Sequence, residues 1–289
     1  MTKDTPHVAI LVLDAPIPEL SKTYGDFGDV SSELLTQGGT CKYPTTKYQL
    51  FYKDDNHKQE LLNTYEILKR DINAGTIKGV FLTGSVADAF ETGVLWIDLL
   101  NEFISQFLSK LENFPIVGIC FGHQILAKGL GSKVARNLPE IGLEYGTSTI
   151  KLNDDIFTIK DTPFDILHDD DGNIILHLNL SEFHQDIVYG LPPPAKDLSV
   201  KFESIGSTDK CAIQGLITEQ GPIKLLTFQG HPEFTKEFSL ALLEHMFKKE
   251  EFLPLEYEKF KSHTEILNNQ GVLVGKVIGK FINTFAERE

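Results

Sequence analysis

Hydrophobic residues in the first half of the chain fall into short runs, separated by segments with helical spacing. HVAILVLDA (7–15) is a continuous apolar run, the pattern of a strand buried on both faces. SKTYGDFGDVSSELLTQ (21–37) turns helical in its second half, and YQLFYK (48–53) reads as a second strand. KQELLNTYEILKRDIN (58–73) has helical spacing, and GVFLTG (79–84) is a third strand ending in glycine. VLWIDLLNEFISQFLSKLEN (94–113) is amphipathic, with Trp96, Leu99, Leu100, Phe103, Phe107 and Leu111 along one side. FPIVGI (114–119) and GHQILAKGLG (122–131) supply a fourth strand and the next helix. This order predicts an α/β fold of three layers, a mostly parallel central sheet flanked by helices. Sites in such folds form at the carboxyl ends of the strands.

Beyond residue 131 the pattern shortens. STIKLND, IILHLNLS, LSVKFESI, CAIQGLIT and IKLLTFQG alternate without long helices between them and read as extra, partly antiparallel strands added to the sheet. From 235 the chain is helical again, in EFSLALLEHMFKKEEF, LEYEKFKSHTEILNN and GVLVGKVIGKFINTFAERE, punctuated by Pro254 and Gly271. The expected organisation is a main domain over 1–250 and a C-terminal helical extension over 251–289 packed on the same body.

Composition narrows the classes. Three scattered cysteines, Cys41, Cys120 and Cys211, argue against a disulfide framework and for a reducing, cytoplasmic setting. The apolar run near the N-terminus is too short and too weakly preceded by basic residues for a signal peptide, and no stretch reaches the ~20 apolar residues of a membrane span. A net charge of -14 is repelled by phosphate backbones, so neither nucleic acid nor membrane is an expected partner.

One cysteine stands apart. In FPIVGICFGHQ, Cys120 lies between Gly118 and Gly122 at a strand-to-helix junction, the setting of a nucleophile elbow. A helix N-terminus behind it favours an anion, and its N–H groups can hold a developing oxyanion. An arbitrary cysteine is more often a buried small hydrophobe. With glycine at ~7% of residues, however, two such flanking glycines arise by chance about once in 200 cysteines. A thiol nucleophile needs a histidine, and that histidine an orienting group. Of nine histidines, His231 is the best placed, because LLTFQGHPEF ends a strand and puts Glu233 two residues on. Pro232 biases His231 toward extended backbone.

VGICFGHQ followed far downstream by FQGHPEF resembles the class I glutamine amidotransferases, over roughly residues 7 to 250. The resemblance implies that family's flavodoxin-like fold, with Cys120 as nucleophile, His231 as general base and acid, and Glu233 orienting His231. LTGS (82–85) is similar to the family's oxyanion turn, which implies backbone N–H donors from Gly84 and Phe121. Gln124 matches the family's glutamine-binding Gln. SEFHQDIVYGLP resembles the loop contacting the α-amino-acid end of glutamine, which carries over to the neighbourhood of His184 and Asp186. His123 follows the family's commoner pattern with no role assigned to it.

Two motifs are decoys. GLGSK (129–133) lacks the spacing of a phosphate loop, and HDDDGN (168–173) puts Leu167 and Leu178 where a calcium loop needs acids. No metal and no cofactor is expected. Three readings stay open: a stand-alone hydrolase of glutamine, γ-glutamyl peptides or glutathione-like conjugates; a glutaminase subunit feeding ammonia to a separate synthase; and a non-enzymatic regulator that kept the fold. GICFGHQ with LTGS and the HQD loop most resembles the stand-alone, γ-glutamyl-peptidase-like branch, including fungal members. The expected partner is a small γ-glutamyl substrate, with a homo-oligomer or an ammonia-accepting protein as further possibilities.

Overall fold

Apolar runs that alternate between two faces require helices on both sides of a sheet, and the computed structural model has that arrangement over its described residues, 5–52, 54–194 and 200–287. A seven-stranded sheet contains β1 (His7–Val12), β2 (Thr45–Gln49), β3 (Ile77–Leu82), β4 (Pro115–Ile119), β9 (Lys201–Ser204), β11 (Leu216–Gln220) and β12 (Lys224–Phe228), in the order β2-β1-β3-β4-β12-β11-β9. The five strands from β2 to β12 pair in parallel, and β11 and β9 extend the sheet antiparallel. Short strands β5 (Val134–Arg136) and β8 (Asp186–Val188) pair with each other. A three-stranded antiparallel sheet joins β6 (Glu144–Leu152), β7 (His177–His184) and β10 (Gly206–Ser207).

Successive residues of β1 go to opposite cores. Ala9 and Leu11 join the layer under α3 (Lys58–Asn73), α4 (Leu95–Gln106) and α5 (Phe121–Gly129), packing with Leu61, Leu68, Trp96, Leu100 and Phe103. Val8, Ile10 and Val12 meet α2 (Phe27–Gly38) and α8 (Gly271–Ala286) on the other face. α1 (Pro18–Tyr24), α6 (Lys236–Lys248) and α7 (Pro254–Ile266) cover the end of the sheet near β6 and β7, with Leu20, Phe27, Phe234 and Phe238 forming one apolar cluster and Tyr145, Leu243, Phe252 and Phe260 another.

Three sequence expectations shift. The second strand is not Tyr48–Lys53 but Thr45–Gln49, an edge strand whose half-exposed TTKYQ carries little apolar signal; Lys53 lies outside the described residues. LSVKFESI contributes only Lys201–Ser204, and its Leu198 and Ser199 also lie outside them. IKLLTFQG, expected among the added strands, is the parallel strand β12 next to β4, while STIKLND and IILHLNLS belong to the separate sheet. Which strand pairs with which depends on long-range contacts that local alternation does not encode.

Helix α8 is part of the core. Val274, Val277, Ile278, Phe281, Ile282 and Phe285 are all buried, and at roughly 1.5–3 kcal/mol per buried side chain they contribute on the order of 10 kcal/mol. That approaches the whole net stability of a typical domain, about 5–15 kcal/mol. α8 gets this close to α2 through a glycine pair: a methyl on Gly38 would sit 2.5 Å from the carbonyl carbon of Gly275, and one on Gly275 would sit 2.6 Å from the carbonyl oxygen of Leu34. Gly275→Val should therefore cost about 1–3 kcal/mol by overpacking. Gly190→Ala, where a methyl meets nothing within 4 Å, should stay within about 0.5 kcal/mol of wild type; urea unfolding of the two variants checks both.

Candidate active site

Strand β4 runs straight into α5, and Cys120 is the N-cap between them, with φ 50° and ψ -106°. Positive φ at a non-glycine costs on the order of 1–3 kcal/mol and persists only when the surroundings enforce it. Here they do: Cys120 N–H donates to Phe228 O at 2.8 Å, and Cys120 O accepts from Gln124 N–H at 3.0 Å. The flanking glycines answer to crowding. A methyl on Gly118 would lie 2.7 Å from the Gly122 carbonyl, and one on Gly122 would lie 2.5 Å from Leu82 O. Phe121, the first residue of α5, carries an N–H that has no carbonyl one turn earlier to bond within the helix.

The adjacent strand brings the histidine. β4 and β12 are parallel and in register, Ile119 opposite Phe228, so the chain leaving β12 reaches the same sheet edge as Cys120. His231 N–H donates to Ser181 O at 2.7 Å, its carbonyl accepts from Asn269 Nδ2 at 2.9 Å, and its ring stacks on Phe234 at 4.1 Å between centroids. His231 Nδ1 meets Glu233 Oε1 at 2.7 Å, which leaves Nε2 free to interact with Cys120, the other group acting on the ring. Burial alone would push the His231 imidazole down, but Glu233 and Cys120 reverse this and hold its pKa up at about 10. Gly84 closes the group: a methyl there would be 3.0 Å from the His231 ring and 3.8 Å from Cys120 Cβ.

Cys120 opens onto a cleft of about 350 Å³, whose lining includes Gln124, His184 and Asp186. Gln124 Nε2 donates to Asp186 O and to Gln229 Oε1, both at 3.0 Å. Asp186 Oδ1 is 2.9 Å from Arg136 Nε, and Arg136 also reaches both carboxylate oxygens of Asp88 at 2.9 Å. Burial raises the Asp186 carboxyl to about 6, with Arg136 pulling it down and Asp88 pushing it up. Among the described residues no three His, Cys, Asp or Glu side chains are grouped as ligands for a metal ion.

Residues 47–249 match the family model for glutamine amidotransferase class-I. The chain belongs to the class I glutamine amidotransferase family. It is 32% identical over 275 residues to a Saccharomyces cerevisiae protein named "putative glutamine amidotransferase", covering 94% of this chain and 95% of that one. It is 33% identical over 181 residues to gamma-glutamyl peptidase 2 of Arabidopsis thaliana, covering 62% of each. Among solved structures, a glutamine amidotransferase from Thermotoga maritima shares the fold at a TM-score of 0.61 and 17% identity, over 98% of this chain and 99% of that one.

Two further histidines near the cleft are buried. His123 is fully buried, bonded through Nδ1 to Thr227 Oγ1 at 2.8 Å, and burial, with His184 nearby, pushes it down to about 3. It is a neutral packing residue. His184, expected near the substrate, borders the cleft, but its Nε2 is directed between two carboxylates, Glu144 and Glu182, each at 3.2 Å. Its Nδ1 lies 3.2 Å from Asp186 O, the carbonyl that Gln124 also holds. Burial would lower His184, but the two glutamates carry it up to about 10. Burial raises Glu182 to about 7 against the pull of His184. Burial likewise acts to raise Glu144, but His184 and Thr208 outweigh it and leave it below the usual carboxylate range. Sequence reading missed Arg136, Asp88, Glu144 and Glu182. Arg136, Asp88 and Glu144 sit in no motif; Glu182 lay inside SEFHQDIVYGLP, two residues before His184, without being singled out.

These shifts fix the sign of a pH dependence. His184 and His231 bind a proton more tightly folded than unfolded, so their contribution is present below about pH 6.5 and is lost as pH rises toward 10. Glu182, also raised, adds loss in the same direction between about 4.5 and 7. Urea midpoints should therefore fall from pH 7 to pH 9.5, and His184→Gln should flatten that slope. Equal midpoints at the two pH values would contradict the assignment.

Proposed function

We propose that this protein hydrolyses a γ-glutamyl amide bond through a thioester on Cys120. The observation that carries the reading is the strained Cys120 at the head of α5, hydrogen-bonded to a buried His231 that is itself held by Glu233 at 2.7 Å. In this mechanism His231 carries the proton that Cys120 gives up, and the thiolate sulfur attacks the γ-carbonyl carbon. Backbone N–H groups of Gly84 and Phe121 receive the oxyanion. His231 then returns its proton to the departing nitrogen as the C–N bond breaks. Water, activated by the same ring, cleaves the γ-glutamyl thioester and regenerates the thiol. Glu233 keeps Nδ1 protonated and stabilises the imidazolium throughout.

Gln124, Asp186 and the backbone around His184 are assigned to the α-amino-acid end of the substrate. The fixed Asp186 carbonyl and the Arg136 cation between two carboxylates offer a zwitterion groups of both signs. The similarity to a gamma-glutamyl peptidase supports a stand-alone hydrolase.

A γ-glutamyl chloroketone should alkylate Cys120 and spare Cys41 and Cys211, read by peptide mass spectrometry. Cys120→Ala should abolish turnover, and Glu233→Gln should lower kcat by about 10⁴-fold, the scale seen when the orienting acid of a triad is removed. Label on Cys41 or Cys211 with Cys120 unmodified would refute the proposal.

A further inference from the structure

Resting on the γ-glutamyl hydrolase reading, the cleft also says something about the group that departs. Its lining combines two chemistries. Arg136 lies between Asp88 and Asp186 and donates to Gln185 Oε1 at 2.8 Å. Helix α6 presents Leu242, His245 and Met246, spaced i, i+3, i+4 on one helix face and half-buried. Ile17 and Val86 face the same space. Val86 is 86% exposed, an apolar side chain held at the rim because its N–H is anchored to Asp14 Oδ2 at 3.1 Å.

A capping turn then adds a charge to this apolar wall. Past α6, Glu250 N–H bonds to Phe247 O at 3.0 Å and Glu251 N–H to Met246 O at 3.1 Å. This is the paired-bond cap that usually ends a helix with glycine in the left-handed region. Glutamate occupies that position here, with φ 61°, a backbone conformation costing a non-glycine residue about 1–2 kcal/mol. The turn sends Phe252 into the core and leaves Glu251 on the cleft beside Met246. Tyr145, which also lines the cleft, lies within reach of both charges: burial raises the phenol, the Gln185 hydrogen bond opposes this, the Glu251 carboxylate adds to the rise and the Arg136 guanidinium offsets it. Among the described lining residues Arg136 is the one Arg or Lys, and the proposed function gives it to the α-amino-acid end of the substrate. His245 is the other ionisable group on the α6 side.

We propose that the α6 side of the cleft, with Leu242 and Met246 as wall and Glu251 as terminus, is a leaving-group subsite for an amine with an apolar body and a distal positive charge, so that γ-glutamyl diamines are preferred over γ-glutamyl dipeptides. A dipeptide would bring the carboxylate of its leaving amino acid toward Glu251 with no Lys or Arg on that wall to receive it. A diamine brings a methylene chain for Leu242 and Met246 and an ammonium for Glu251. The bond broken is the γ-amide C–N bond; water supplies hydroxyl to the acyl carbon and the diamine departs protonated.

The test compares kcat/KM for four compounds on the whole protein: glutamine, γ-glutamyl-butylamide, mono-γ-glutamyl-1,4-diaminobutane and γ-glutamyl-alanine. The diamine should exceed the butylamide about twofold to fivefold, the scale of one exposed ion pair, and exceed the dipeptide by more. Glu251→Gln should remove the diamine's advantage over the butylamide, and Glu251→Lys should turn preference toward the dipeptide. Leu242→Ala should reduce the butylamide-to-glutamine ratio. A wild-type preference for the dipeptide, glutamine hydrolysed while the diamine is not, or a diamine-to-butylamide ratio unmoved in Glu251→Gln overturns the subsite and leaves the hydrolase reading standing. Failure to turn over any of the four, with Cys120 unlabelled by the chloroketone, overturns both.

Discussion

The pairing of β4 with β12 is the interaction on which the rest depends. Parallel strands in register end at the same edge, so Ile119 opposite Phe228 sets Cys120 beside the Gly230-His231 turn across more than a hundred residues of chain. The same pairing supplies the acceptor, Phe228 O, that pins the Cys120 N–H and helps hold its backbone at positive φ. A slip of one residue would turn every β12 side chain to the opposite face and carry His231 away from the sulfur. Leu226 and Phe228, buried on the α2–α8 side, and Leu225, buried on the other, make such a slip costly.

Around this pairing the protein places ionisable groups where water is absent and neutralises them locally. His231 with Glu233, and His184 with Glu144 and Glu182, are all nearly or fully buried. Removing one partner from a buried pair typically costs about 3–5 kcal/mol, because the remaining charge has no water to turn to. The two groups are physically joined. Ser181 O receives the His231 N–H, Glu182 lies against Gly230, and His184 steadies the carbonyl of Asp186. The Asp186 carbonyl and the His231 ring are thus set by neighbouring residues of β7, so disorder in one would be felt in the other.

Much of this was legible in the sequence because it is local. The helix 58–73 has the bounds its spacing gives, and the Gly118–Cys120–Gly122 turn follows from strand, glycine and helix in succession. The HPEF stretch put His231 and Glu233 at a strand's end, where a contact over two residues of chain was geometrically available. What stayed illegible is relational. Arg136 is an isolated residue of a three-residue strand, and only the fold brings it to Asp88 and Asp186, 48 to 50 residues away. His184 looked like a substrate contact because nothing nearby in sequence shows Glu144, whose strand β6 pairs with β7. The edge strand β2 was misplaced for a related reason: half-exposed positions lose the alternation that marks a strand.

The position of α8 has a consequence for biosynthesis. It covers one face of the sheet, and just before it Asn269 holds the carbonyls of His231 and Phe234. Both are translated after every strand of the sheet. At about 5–20 residues per second, several seconds separate the emergence of β4 from that of α8. During that interval Val8, Ile10, Phe81, Val117 and Leu226 have no helix α8 to cover them, a hydrophobic face offered to chaperones or to other nascent chains. The turn at His231 likewise lacks its Asn269 brace until that last segment emerges. The surroundings of Cys120 are therefore the last part of the fold to be completed, after the sheet itself is sealed.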